Sequence, residues 1–308
     1  MKVVMPGGTG HLGTLLTRVL TDQGHDVVLV SRRPRPATGR QVSWDDIDAE
    51  IDGCDVVINL AGRSVNCRYN ASNRREILES RIVSTRAVGR AIVAARKPPA
   101  VWLQASTATI YAHRFDAAND EITGILGGDE PNAPDTWRFS IDVAKAWERA
   151  ANEVATPPTR KVLMRTAIVM SPEHGGTFEL LWRLARFGLG GPASGGRQFV
   201  SWIHDADFVA AVLWLIGSSL EGAVNIATPN PLPYRDFIGR LRETAGMPVG
   251  LPATRWMLEV GAFALRTETE LILKSRRVTP RRLLDDGFSF RFPSWPDACD
   301  DLARRMAR

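Results

Sequence analysis

The chain has 308 residues, 44% of them hydrophobic and 24% charged, a balance that excludes disordered and membrane-embedded classes and gives enough length for one large domain or two modest ones. Its 39 Lys and Arg stand against 34 Asp and Glu, a formal net charge of +5 that is scattered along the chain. That suits an anionic small molecule and argues against a nucleic-acid partner, which needs a clustered basic face.

Cys54, Cys67 and Cys299 match no metal-ligand spacing, and an odd count argues against a disulfide framework. The expectation is a reduced, cytoplasmic protein without a metal. The chain opens straight into "KVVMPGGTG", so no signal peptide is expected. No stretch reaches the ~18 uninterrupted apolar residues of a spanning helix, so no membrane association is expected. "MLEVGAFALRTETELIL" is broken by charges and reads as helix.

In chain order, "KVVMP" reads as a strand and "HLGTLLTRVLTDQG" as a helix, with Leu12, Leu15, Leu16, Val19 and Leu20 at helical spacing. "DVVLVS" and "DVVINLAG" are strands. "NRREILESRIVSTRAVGRAIVAA" is a long helix, "AVWLQAS" a strand, "SIDVAKAWERAANEV" a helix and "KVLMRTAIV" a strand. After about residue 170 the chain becomes rich in Gly and Pro. Helices then dominate: "FIGRLRETAG", "ATRWMLEVGAFAL" and "SWPDACDDLARRM".

Apolar strands alternating with helices predict an α/β fold, a Rossmann-type doubly wound parallel sheet. A smaller, mostly helical C-terminal lobe follows. The division read here is 1–228 for the nucleotide-binding domain, with 170–196 contributing to the second lobe, and 229–308 for the substrate lobe.

"GGTGHLG" places Gly7, Gly10 and Gly13 between the first strand and the first helix, with Thr9, His11 and Leu12 in the same turn. Glycine permits a tight turn and close backbone approach to a phosphate, and the helix behind it aims its free N–H groups at the anion. The alternative is a glycine turn without a ligand. His11 is expected to meet phosphate through its backbone. The second strand ends at Ser31-Arg32-Arg33, where an NAD site would carry a carboxylate for the ribose 2′-hydroxyl. Ser31 and Arg32 would instead hold a 2′-phosphate, which points to NADP(H), or form a solvated basic turn. "INLAG" supplies Asn59, Leu60, Ala61 and Gly62, small residues that leave room for the cofactor at a strand end.

These motifs resemble the extended short-chain dehydrogenase/reductases. "QASTATIYA" (104–112), "LMRTAIVMSP" (163–172) and "RQFVSWIHDADFVAAV" (197–212) are similar to three further segments of that family. One subgroup fits best, the NADP-dependent epimerase-family proteins with a C-terminal helical domain of unknown function. Its marks are "VSWDD", "INLAGRSV", "ILESR", "AWERAA", "RFGLGGPASGGRQFVSWIH" and "LKSRRVTPRRLLDDGFSFRFP".

The resemblance implies a Ser/Thr that orients the reacting oxygen and a Tyr and a Lys four residues apart on one helix. Thr107 fills the first position, or caps its turn. The helix "FSIDVAKAWERAA" places Ser140 and Ala144 where Tyr and Lys belong, with Phe139 and Lys145 each one residue away. The usual acid/base pair is absent. Tyr111, or a water held by Ser140, is the candidate proton donor, since Tyr69 and Tyr234 are the only other tyrosines. Arg81 falls at an Asn position of the family's earlier helix, and Arg81 and Glu76 are expected near the cofactor's ribose or pyrophosphate.

In "WIHDADF", Asp205 or Asp207 is expected to cap the following helix and His204 to face the substrate. Arg197 is a candidate for a substrate phosphate. "KSRRVTPRR" (274–282) reads as a solvated face with Thr279 capping a helix begun at Pro280. The expected activity is NADP(H)-dependent oxidation, reduction or epimerisation of a small carbonyl or hydroxyl compound, sugar-nucleotide-like by the resemblance, in a monomer or homodimer. The alternative is a catalytically weak NADP(H)-sensing protein.

Overall fold

The computed structural model describes residues 1–35, 39–131, 134–193, 195–251 and 273–306. The helix expected over 253–265 lies outside the described residues. The strands are β1 (Lys2–Pro6), β2 (Asp26–Val30), β3 (Gln41–Val42), β4 (Val56–Asn59), β5 (Val101–Thr107), β6 (Arg160–Thr166), β7 (Ile168–Met170), β8 (Phe199–Val200), β9 (Trp202–His204), β10 (Gly222–Ile226) and β11 (Leu232–Pro233). The helices are α1 (His11–Asp22), α2 (Ile47–Ile51), α3 (Ala71–Ala94), α4 (Asp135–Asn152), α5 (Thr177–Arg186), α6 (Asp205–Gly217), α7 (Tyr234–Thr244), α8 (Arg281–Asp285) and α9 (Trp295–Met306).

Seven strands form one parallel sheet in the order β10-β6-β5-β4-β1-β2-β3. The order reverses beside β1. Connections leave the sheet in opposite directions there, which opens a crevice at the carboxyl ends of β1 and β4. The strand residues alternate between two cores, as the two-residue period of a strand requires. Val3, Met5, Val56 and Ile58 pack with Leu16 of α1 and Phe208 of α6. Val4, Val57 and Trp102 pack on the other face with Ile47, Val88 and Ile92. Burial on both faces explains why these strands read as unbroken apolar runs.

A further core joins β7 and β9 to α5, α7 and α9. Trp295 is its centre: it stacks on Phe237 at 4.0 Å, and its Nε1 donates to the Phe237 carbonyl at 2.8 Å. Full burial of such a ring contributes about 1.5–3 kcal/mol.

Helix α4 begins at Asp135, five residues before the start read from sequence, because Pro134 suits a helix entry. The stretch 274–282 departs from a solvated face. Lys274, Ser275 and Arg276 are buried, and the Lys274 Nζ donates to the Thr109 carbonyl at 2.8 Å. Its helix α8 starts after Pro280 but lacks a side-chain cap.

Candidate functional site

The turn from β1 to α1 is built on contacts that exclude side chains. Gly7 sits at φ +76°, and a Cβ there would come within 2.5 Å of the Ala61 Cα at the end of β4. A Cβ at Gly13 would lie 2.2 Å from the Gly8 carbonyl oxygen, so glycine lets α1 pack on the turn. Gly10, the N-cap of α1, differs. A Cβ there would meet nothing nearer than the Gly7 carbonyl at 3.6 Å. Packing within the protein does not demand glycine at that position, but a phosphate brought against the helix N-terminus does. The backbone of His11, Leu12 and Gly13 forms the first helical turn there. The His11 ring leans toward the N-terminus of α5, its Cε1 being 3.4 Å from where a Gly176 Cβ would stand.

Beside this turn lies a cleft of about 1080 Å³. Thr9, Thr14, Ser31, Arg18, Arg32, Arg33 and Arg35 line it. With Thr17, four guanidinium groups and four hydroxyls line the cleft, the donor set that a phosphate dianion requires. Ser31 is buried, and its Oγ accepts from the Arg33 N–H at 3.3 Å, so it shapes the turn that presents the arginines. Arg18 is held by Glu173 at 2.7 Å.

At the end of β4 the small residues act as spacers. Asn59 is fully buried; its Nδ2 donates to Gln104 at 2.9 Å and its Oδ1 accepts from the Ala61 N–H at 3.1 Å. The Leu60 N–H donates to the Pro6 carbonyl at 2.8 Å, binding the two strand ends. Gly62 lies against Arg81, whose side-chain atoms would be 3.3 Å from a Cβ there.

A second cavity, about 180 Å³, opens at the carboxyl ends of β5 and β6. Thr107, Thr109, Ser140, Thr166, Tyr69, Arg81 and Arg276 line it together with apolar side chains. Thr107 Oγ1 accepts from the Thr109 N–H at 3.2 Å, and its own O–H donates to none of the described residues. It is therefore able to donate to a ligand oxygen. Helix α4 presents Phe139, Ser140, Val143 and Trp147 to the cavity. No tyrosine or lysine is among them. Ala144 is fully buried, and the Lys145 ammonium lies 3.2 Å from where a Gly128 Cβ would stand, outside this lining.

Arg81 reaches the cavity from α3. Its Nη1 donates to the Ile77 carbonyl at 2.9 Å and the Arg63 carbonyl at 3.0 Å, and its guanidinium lies 4.9 Å over the Trp147 ring. Burial lowers its pKa to about 10, against the opposing charges of Tyr69 and Cys67. Glu76 does not join it. That carboxylate is exposed on α3 and paired with Arg63.

Three further candidate residues, Tyr111, His204 and Arg197, lie outside the lining of this cavity. The Tyr111 hydroxyl is buried outside the cavity lining; it donates to Asn225 Oδ1 at 2.9 Å and accepts from Arg165 at 2.9 Å. Burial pushes its pKa up, and both of its hydrogen bonds are spent on the protein, away from the cavity. His204 lines a different cavity, between α1, α6 and α9. Its Nδ1 accepts from the Ala206 N–H at 3.1 Å and its Nε2 lies 3.1 Å from Asp301. His204 thus caps α6 in place of the aspartates. Asp205 instead binds Arg305 twice, and Asp207 accepts from the N–H groups of Arg291 and Phe292. Arg197 is exposed and lines neither the arginine-rich cleft nor the β5–β6 cavity.

Tyr69, Arg276 and Thr109 are cavity residues that sequence reasoning passed over. Tyr69 sits in an irregular loop before α3, and Arg276 in a basic run that reads as solvated. Neither has a periodic signal. Among the described residues, no cluster of three potential metal ligands occurs and no helix is long and apolar enough to cross a membrane.

A profile of the NAD dependent epimerase/dehydratase family matches residues 3–227, well over half of the chain. The chain belongs to that family. A domain of unknown function, DUF1731, matches residues 253–302, in agreement with the C-terminal motifs. The epimerase family protein SDR39U1 of Bos taurus is 32% identical over 299 residues, which cover 95% of this chain and 96% of that protein. The crystal structure of human SDR39U1 (isoform 2) with NADPH superposes with a TM-score of 0.86 at 30% identity, covering 99% of both chains. A nucleoside-diphosphate sugar epimerase from Corynebacterium glutamicum superposes with a TM-score of 0.77 at 26% identity, over 99% of this chain and 58% of its own. The extended short-chain dehydrogenase/reductase resemblance and the doubly wound fold are both borne out.

Proposed function

We propose that this chain binds NADP(H) and oxidises or reduces a small carbonyl or hydroxyl compound. The binding half rests on residues that fit the cofactor. Gly7, Gly10 and Gly13 and the N-terminus of α1 would hold the pyrophosphate, and Arg32, with Arg18, Arg33 and Arg35, the 2′-phosphate. The NADPH in the human relative's structure supports this reading. Bound NADPH supplies a hydride equivalent.

The observation that carries the chemical half is the hydroxyl-lined cavity at the ends of β5 and β6. Thr107 orients the substrate oxygen there with its O–H. The cavity's volume of about 180 Å³ suits a single-ring or short-chain compound. A cavity of about 150 Å³ takes benzene, and a nucleoside diphosphate sugar is far larger. The cavity thus has room for one reacting ring or short chain.

The sensing alternative has one observation in its favour: α4 turns Phe139, Val143 and Trp147 to the cavity and no tyrosine or lysine. NADPH oxidation measured against a panel of single-ring and short-chain aldehydes and ketones separates the two. Turnover supports the oxidoreductase. Tight NADPH binding with no turnover across the panel supports the sensor.

A further inference from the structure

We propose that Tyr69 and Arg81, packed against the cavity face of α4, supply the proton donor and the cation that α4 lacks. This rests on the oxidoreductase reading of the cavity.

Both side chains line the same cavity as Thr107. Tyr69 sets its ring edge-on against Phe139, centroids 5.1 Å apart. Phe139 is the α4 residue next to the position where the family carries its tyrosine. Arg81 lies over Trp147 on the same face of α4. The phenol and the guanidinium thus stand over the helix face from which a tyrosine and a lysine would otherwise project. Arg81 is anchored by two backbone carbonyls through one nitrogen, which fixes its direction, and no described carboxylate neutralises it.

Arg81 and Tyr69 also act on each other electrically. The ionised form of Tyr69 favours the charged form of Arg81. The coupling is reciprocal, so Arg81 favours the phenolate. Cys67 also acts on Arg81, Arg276 shares the lining, and Arg74 donates to the Tyr69 carbonyl at 2.9 Å while lying over the Phe139 ring.

Reduction of a carbonyl adds a hydride at carbon and a proton at oxygen. The carbon receives the hydride that NADPH supplies, and the carbonyl π pair moves onto oxygen. The Tyr69 O–H gives its proton to that oxygen. Its bonding pair stays on the phenolate, stabilised by Arg81, and water returns the proton. Carbonyl, NADPH and one proton become alcohol and NADP⁺.

The test uses the full chain, whose only tyrosines are Tyr69, Tyr111 and Tyr234. Phenolate absorbance is titrated with pH in the wild type and in Tyr69→Phe, and the difference isolates the Tyr69 step. Arg81→Gln is expected to move that step to higher pH by about half a unit or more, and Arg81→Lys to bring it back. An unmoved step overturns the pair. In the carbonyl panel, Tyr69→Phe is expected to lower kcat by about 10²-fold or more with NADPH affinity unchanged. Turnover retained in Tyr69→Phe overturns the donor role. A wild type without turnover overturns the oxidoreductase reading and the donor role with it, whereas turnover with an unmoved titration overturns the pair alone.

Discussion

Arg165 grips Glu148 through two hydrogen bonds of 2.8 Å each, Nε to Oε1 and Nη2 to Oε2, in the core behind the cavity. Ser106 adds an O–H donation to the same carboxylate at 2.6 Å, and the third guanidinium nitrogen reaches Tyr111. The network ties β5 and β6 to α4, and through Tyr111 and Asn225 to β10. It fixes which face of α4 lines the cavity. Glu148→Ala leaves a buried guanidinium without its counter-charge, an expected loss of about 3–5 kcal/mol in urea unfolding. A loss under ~1 kcal/mol would show the pair to be incidental.

The glycines of the first turn divide by what a methyl group would touch. Gly13→Ala forces a Cβ to within 2.2 Å of a backbone oxygen, so it lowers both stability and NADPH affinity. Gly10→Ala has room in the protein and an ordinary φ of −83°, so its melting temperature stays within about 2 °C of the wild type while NADPH binding weakens. Equal losses of stability in the two variants would remove the phosphate from the explanation of Gly10.

Stability should fall as pH drops below the ordinary histidine range. Burial lowers the pKa of His204, and likewise of His113. The unfolded chain therefore takes up a proton near pH ~6.5 that the folded chain resists. The histidine contribution is complete above that pH and is lost progressively below it. Asp205, held low by Arg305 against the opposing effect of burial, keeps its contribution until the carboxylate range is reached. His204→Asn retains a side-chain cap for α6 and removes the titration. Its unfolding free energy should change less between about pH 7 and pH 5 than that of the wild type. An unaltered slope would place the dependence elsewhere.

The sheet and the cofactor turn were legible because their signals are local. Strand periodicity, three glycines and the Ser31-Arg32 pair lie within a few residues of one another and need no distant partner. The second half of the site was not legible for the opposite reason. The fate of Tyr111 is decided by Asn225, 114 positions away, and that of His204 by Asp301, 97 positions away. Glu76 was drawn from the cofactor by Arg63, which the helix periodicity of α3 does not reveal. Tyr69 carries no pattern of its own and becomes visible only when the loop before α3 folds against Phe139.

The most direct measurement is a binding titration of NADPH and NADH against the wild type and Arg32→Ala. The arginine-lined cleft predicts that the wild type binds NADPH at least about tenfold more tightly than NADH, and that Arg32→Ala lowers this preference by weakening NADPH alone. Equal affinity for the two dinucleotides in the wild type, or an undiminished preference in Arg32→Ala, would contradict the account.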